Sequence, residues 1–183
     1  ENVVVSNCVL SSLTTGIRIG YEADEPIRDC VFSNLAIHDT RHGLDILSLV
    51  PDAQYTRIER GTPVENILFS DIVMRNVRRA VHVWAGGGDA GRYAAWVRGL
   101  SFRAIRARTT GTSFIGSVGA KTCVSDVLMR DVVIEQTADE YDGDAAPVEY
   151  PVNCWGAGRL PHSLTLRKVD GVFLDNVRID RGP

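Results

Sequence analysis

The sequence predicts an all-β chain, a parallel β-helix of about six to seven coils, and three observations lead there. An eight-residue signature, apolar-x-apolar-x-[Asn/Asp/Ala]-apolar-x-apolar, occurs at Val3 to Leu10, Cys30 to Ile37, Ile67 to Met74, Leu100 to Ala107, Val127 to Ile134 and Val172 to Ile179. Each copy reads as two short strands of period two meeting at a bend. The central residues Asn7, Asn34, Asp71, Ala104, Asp131 and Asn176 are 27, 37, 33, 27 and 45 positions apart, spacings that suit one turn of a solenoid. Nine residues past each of the first four bends, a small residue opens another apolar strand.

The elements follow in order. Val3 to Leu10 starts the first coil, and Gly16-Ile-Arg-Ile supplies its lateral strand. The coil of Cys30 to Ile37 continues into Gly43-Leu-Asp-Ile, that of Ile67 to Met74 into Ala80-Val-His-Val, and that of Leu100 to Ala107 into Ser113-Phe-Ile-Gly. The fifth coil loses this register: Glu140 takes the equivalent place, within a loop rich in Asp, Gly and Pro from Asp139 to Pro151. Leu164-Thr-Leu restores a strand before the last signature.

With 44% hydrophobic residues in 183, the apolar material suffices for one continuous core, so residues 1–183 are expected to form a single domain. No run approaches the roughly 18 apolar residues of a membrane span, and the N-terminal residues do not resemble a secretion signal. Glu1 stands directly before a strand whose edge would lie open. The expectation is therefore the C-terminal part of a longer chain, with missing N-terminal coils or a capping neighbour as partner.

A net charge of −3 gives no general footprint for nucleic acid. Arg103, Arg106 and Arg108 do line outward positions, and Arg75, Arg78 and Arg79 sit at the corner of the preceding coil. Such clusters suit either a polyanionic sugar or plain solvation. Cys8 and Cys30 point inward by parity, and a bridge between them is left open; Cys123 and Cys154 are further apart in the coil pattern. No Cys or His spacing of a zinc site occurs, so no metal and no cofactor are expected.

Residues at one offset in successive coils stack about 4.8 Å apart. Eleven positions past the bend stand Arg18, Asp45, His82 and Ile115. Eight past it stand Thr15, His42, Arg79 and Thr112, and thirteen past it Gly20, Leu47, Trp84 and Ser117. Together they suggest an outward carbohydrate groove: His42 and Asp45 as catalytic candidates, and Arg18, Arg79, His82 and Trp84 as substrate contacts, the Trp84 ring stacking on a sugar. Simple cross-strand charge pairing explains the same columns without function. Glu22, in the acidic turn with Asp24 and Glu25, is a weaker catalytic candidate. The glycines of Gly86 to Gly91 lack the Lys and helix of a phosphate loop, and His38 and His162 stand alone.

The stretches Asn2-Val-Val-Val-Ser-Asn-Cys, Gly16-Ile-Arg-Ile-Gly-Tyr-Glu, Val64 to Val77 and Leu166 to Val177 resemble the later coils of family 28 of the glycoside hydrolases, the polygalacturonase-like right-handed parallel β-helices. The resemblance implies inverting hydrolysis of α-linked galacturonan or a related acidic polysaccharide, and a secreted or periplasmic location. That family uses Asn-x-Asp, Asp-Asp, Gly-His-Gly and Arg-x-Lys on successive coils, and both acidic motifs are missing here. If the Gly16 coil matches Gly-His-Gly, Thr15 replaces the His and Asp45 with Leu47 replaces the Arg and Lys; in a second register Arg18 keeps the Arg and Gly20 replaces the Lys; in a third, Arg41-His42-Gly43 keeps the His, and Thr14-Thr15 falls on the acidic pair. Inversion needs two carboxylates roughly 6.5 to 9.5 Å apart. The expectation is thus a glycosidase fragment whose carboxylates lie upstream and which is inactive alone. The alternative is a non-catalytic carbohydrate-binding or structural module. No nucleic acid and no membrane are expected as partners.

Overall fold

The structure is a computed structural model, and it describes residues 1–21, 24–49, 61–86, 95–118, 121–137 and 163–181. These residues form nine strands: β1 (Val4–Ser11), β2 (Thr15–Gly20), β3 (Ile27–Leu49), β4 (Val64–Gly86), β5 (Val97–Thr109), β6 (Ser113–Val118), β7 (Val124–Gln136), β8 (Leu164–Arg167) and β9 (Val169–Arg181). All belong to one parallel sheet in the order β1-β3-β4-β5-β7-β9, with β2 on β3, and β6 joining β4 to β8. No helix occurs among the described residues. This architecture is consistent with a β-solenoid. The loop from Asp139 to Pro151, Glu22, Cys154, His162 and most of the Gly86 to Gly91 run lie outside the described residues.

Sequence spacing becomes ladder register directly. Cys8 pairs with Leu35, Leu35 with Ile72, Ile72 with Ile105, Ile105 with Val132 and Val132 with Val177. All six bend residues adopt positive φ, between 50° at Ala104 and 59° at Asn7. Asn and Asp tolerate this left-handed conformation better than other residues with a Cβ, which is why five of the six are Asn or Asp. A second left-handed column stands five residues earlier, at Asn2, Asp29, Asn66, Gly99, Asp126 and Gly171. Side-chain amides link the columns between repeats: Asn66 donates to Asp29, Asn76 to Asp39 and Asn176 to Asp131, each at 2.6 Å, and Asn34 to Asn7 at 2.5 Å. Each amide thereby satisfies the acceptor one repeat below.

Between the corners, alternate side chains point inward and stack. Phe32, Phe69 and Phe102 are near-parallel at 5.2 and 5.3 Å between ring centroids. Around them pack Leu35, Ile72, Ile105 and Val132, and further along the repeat Leu44, Ile46, Val81 and Val83. Gly43 is small because a Cβ there would lie 2.5 Å from Met74 Sδ and 2.9 Å from the Ala80 carbonyl oxygen. Cys8, Cys30 and Cys123 hold free thiols, so Cys8 and Cys30 are not bridged.

The register of the fourth repeat corrects three of the expected columns. Met74 pairs with Ala107 but Val77 with Thr109, three residues on β4 against two on β5. The left-handed corner residue Asn76 has no counterpart on β5. Downstream, His82 faces Phe114 and Trp84 faces Gly116, where Ile115 and Ser117 were expected, and the same offset sets Gly111, not Thr112, level with Arg79. Ile115 instead joins the core.

Ala104 is strained at φ 50° and supplies no amide to the bend column. Replacing Ala104 by Asn should raise unfolding free energy by about 1 kcal/mol, from relief of the left-handed penalty and an amide placed above Asp71. Urea denaturation of the two proteins measures the gain.

Candidate functional site

Parallel pairing of β2, β3 and β4 brings polar side chains from three consecutive repeats together. The register sets Thr15 on His42 and His42 on Arg79, and Arg18 on Asp45 and Asp45 on His82. The apolar residues Ile17, Ile19, Leu44, Ile46, Val81 and Val83 alternate with Arg18, Asp45 and His82 and face the core, so these three point the other way, while Thr15 and His42 reach Asp45 from positions that alternation alone would not give. All four β3 and β4 members of the cluster are nevertheless buried. The open groove expected from the sequence is not what forms. Parity gives the side of the sheet for Arg18, Asp45 and His82, but burial depends on what covers that side.

Asp45 is the hub. Its side chain is fully buried, and Oδ2 accepts from Arg18 Nε at 2.9 Å while Oδ1 accepts from His82 Nδ1 at 2.8 Å. Thr15 Oγ1 and His42 Nδ1 approach Oδ2 at 3.4 Å, the latter a long electrostatic contact rather than a well-formed hydrogen bond. Arg18 also donates through Nη2 to Thr15 Oγ1 at 2.9 Å, and its guanidinium lies 5.8 Å from the Tyr21 ring centroid. With 29% of its side chain exposed, Arg18 is where the cluster meets solvent.

Arg79 Nη1 lies 3.1 Å from His42 Nε2. A guanidinium only donates and does not lose its proton, so Nε2 must accept and the neutral His42 ring carries its proton on Nδ1, facing Asp45. His82 likewise donates from Nδ1 to the carboxylate. The two imidazoles stand 4.6 Å apart, and His82 meets Trp84 edge-on at 5.8 Å and Phe114 at 6.3 Å.

These surroundings set the protonation states. Burial works to raise the Asp45 pKa, but the interactions with His42 and His82 outweigh it and hold the carboxyl well below the usual range. Burial pushes His82 down to about 4 against the opposing pull of Asp45, so the ring is neutral at pH 7. An ionised carboxylate supplied with donors on both oxygens orients its neighbours; it neither protonates a leaving group nor activates water.

His42, Asp45 and His82 offer one donor atom each within 4.8 Å of one another, a grouping the sequence reading missed because the residues meet only through the β3–β4 register. The donor set does not suit a cation as it stands. His82 Nδ1 is a protonated donor to Asp45, His42 Nε2 faces the Arg79 guanidinium, and Arg18 and Arg79 add positive charge at each side.

Trp84 is 1% exposed and packs with Leu47 in a small second cluster with Tyr21, Leu49 and Val118. It therefore does not present a ring for sugar stacking, contrary to the expectation. His38 is a surface residue whose Nδ1 lies 2.8 Å from Asp39 Oδ2. Thr15 and Tyr21 are the neighbours of Arg18 that the candidate set omitted; offset arithmetic had placed Thr15 beside His42, but it does not report reach. The chain matches no family model, no curated protein and no solved structure.

Between pH 6.5 and about 4, the unfolded chain protonates His82 while the folded one does not. Stability tied to this residue is complete above pH 6.5 and falls as the pH falls, by about 3 kcal/mol in all. Asp45 acts lower: its contribution is present above pH 3.8 and is lost below it. Thermal melting from pH 7 to 4 should show a steady fall in Tm, and His82→Asn should flatten that slope while lowering Tm at pH 7.

Proposed function

We propose that the chain is a right-handed parallel β-helix of the polygalacturonase-like kind that binds an acidic polysaccharide through Arg18 on the lateral face of β2, β3 and β4. The observation that carries this reading is the fixing of Arg18. Its guanidinium is held by a buried carboxylate and by Thr15, with part of the side chain at the surface. A guanidinium fixed in this way loses little entropy on meeting a uronate carboxylate and keeps the planar geometry that such an anion favours. The resemblance to family 28 agrees in the register where Arg18 keeps the Arg of Arg-x-Lys.

His42 and Asp45 then position Arg18 instead of attacking the glycosidic bond, and Arg79, His82 and Trp84 support that arrangement from the next repeat. Inverting hydrolysis would need a pair of accessible carboxylates, and Asp45 is buried and already paired. The chain by itself is proposed to bind without hydrolysing, in a secreted or periplasmic setting. A second reading has its own observation: His42, Asp45, Arg79, His82 and Trp84 are all buried. On that reading the cluster is a structural clamp between repeats.

Calorimetric titration with galacturonate oligomers separates the two. Binding that weakens by about tenfold in Arg18→Gln, with no reducing-sugar release, supports the binding module. Absence of binding, with Arg18→Gln only lowering Tm, supports the structural clamp.

A further inference from the structure

Between the two left-handed corners of each repeat, a short run of strand turns two side chains outward, and the ladder stacks these into two columns. One column runs Val4, Val31, Leu68, Ser101, Leu128 and Phe173, and the other Ser6, Ser33, Ser70, Arg103, Arg130 and Asp175. The first is apolar everywhere but at Ser101. Its ends stand open, with Val4 69% and Phe173 73% exposed, and the four residues between them are half-buried. A sheet with one face on the core ordinarily turns polar residues outward. An apolar outward column that runs from β1 to β9 therefore marks a surface that gains from being covered.

The second column decides what covers it. All its charge lies on the β5, β7 and β9 levels, whereas the β1, β3 and β4 levels carry only hydroxyls. We propose that this face binds a second copy of the chain in an antiparallel two-fold dimer. A two-fold axis along the strand direction, passing between β4 and β5, lays β1 of one copy on β9 of the other and keeps each column facing itself. Val4 then meets Phe173 of the second copy, Val31 meets Leu128, and Leu68 meets Ser101. Every charge on the face meets a hydroxyl: Arg103 meets Ser70, Arg130 meets Ser33 and Asp175 meets Ser6. A two-fold axis along the stack of repeats would instead lay the apolar column on the Ser and Arg column, which leaves its apolar surface opposite polar groups. At the flanking corners, Asp71 meets Ala104 and Asp131 meets Asn34, so their carboxylates face neutral residues. Asp29 and Asp126 are the one like-charged meeting there, at exposed positions that salt screens. The face uses no residue of the Arg18 cluster and does not rest on its assignment.

Sedimentation equilibrium of the full chain, from low micromolar to submillimolar concentration, tests this together with the variants Phe173→Ser, Leu68→Glu, Ser33→Glu and Ser33→Arg. The expected result is a monomer–dimer equilibrium that stops at two copies, because a two-fold contact closes on itself. Phe173→Ser and Leu68→Glu should each weaken it by about tenfold. Phe173 is largely exposed, so its replacement leaves folding intact, and Tm measured at a concentration where all variants are monomeric checks this. The orientation is read from Ser33, which has only Ser6 and Ser70 beside it in its own column but Arg130 across the interface. Ser33→Glu should tighten the dimer by about threefold and Ser33→Arg should weaken it by a similar factor. A monomer at every concentration overturns the proposal, as does assembly that continues past two copies, which would mark end-to-end pairing of the edge strands β1 and β9. A dimer indifferent to Phe173→Ser and Leu68→Glu, or one weakened alike by Ser33→Glu and Ser33→Arg, also overturns it.

Discussion

Register between repeats is the constraint on which everything else in this structure depends. Each repeat turns through a left-handed residue at a fixed place, and side-chain amides tie several of these corners to the repeat below. A shift of one residue would turn every inward side chain outward and every outward one inward. The Phe32, Phe69 and Phe102 stack would be exposed, and Arg18, Asp45 and His82 would enter the apolar core. Fold and site are therefore specified by the same ladder.

The burial of Asp45 shows what this ladder makes possible. An isolated buried carboxylate costs several kcal/mol and would take up a proton instead. Three strands from successive repeats each deliver a partner: Thr15 and Arg18 from β2, His42 from the same strand as Asp45, and His82 from β4. The cluster ties these three repeats together in addition to the core packing of Ile19, Leu44, Ile46, Val81 and Val83 on the same strands. It is also why acid should loosen the lateral strands before carboxylates elsewhere on the surface matter.

Much of this was legible in the sequence. Asn7, Asn34, Asp71, Ala104, Asp131 and Asn176 could be picked out because apolar alternation changes phase at each, and all have positive φ. The second column through Asn66, Gly99 and Gly171 went unread, since no phase change marks it. Pairing of Arg18, Asp45 and His82 was readable from offsets, whereas Phe114 was not, because β5 drops one corner residue that only the ladder reveals. Burial of the site was not legible either. Strand parity reports which side of the sheet a residue takes and carries nothing about what lies over it, which is how Trp84 read as a sugar platform and proved to be packed against Leu47.

The account stands or falls on Asp45 as an ionised, buried acceptor that fixes the tautomers around it. Nitrogen-15 NMR of the imidazoles, followed from pH 8 to the acid limit of folding, tests that directly. The predicted result is His82 neutral with its proton on Nδ1 down to a pH near 4, and His42 in the same Nδ1–H tautomer at pH 7. A His82 ring that titrates near pH 6.5, or that carries its proton on Nε2, would contradict it.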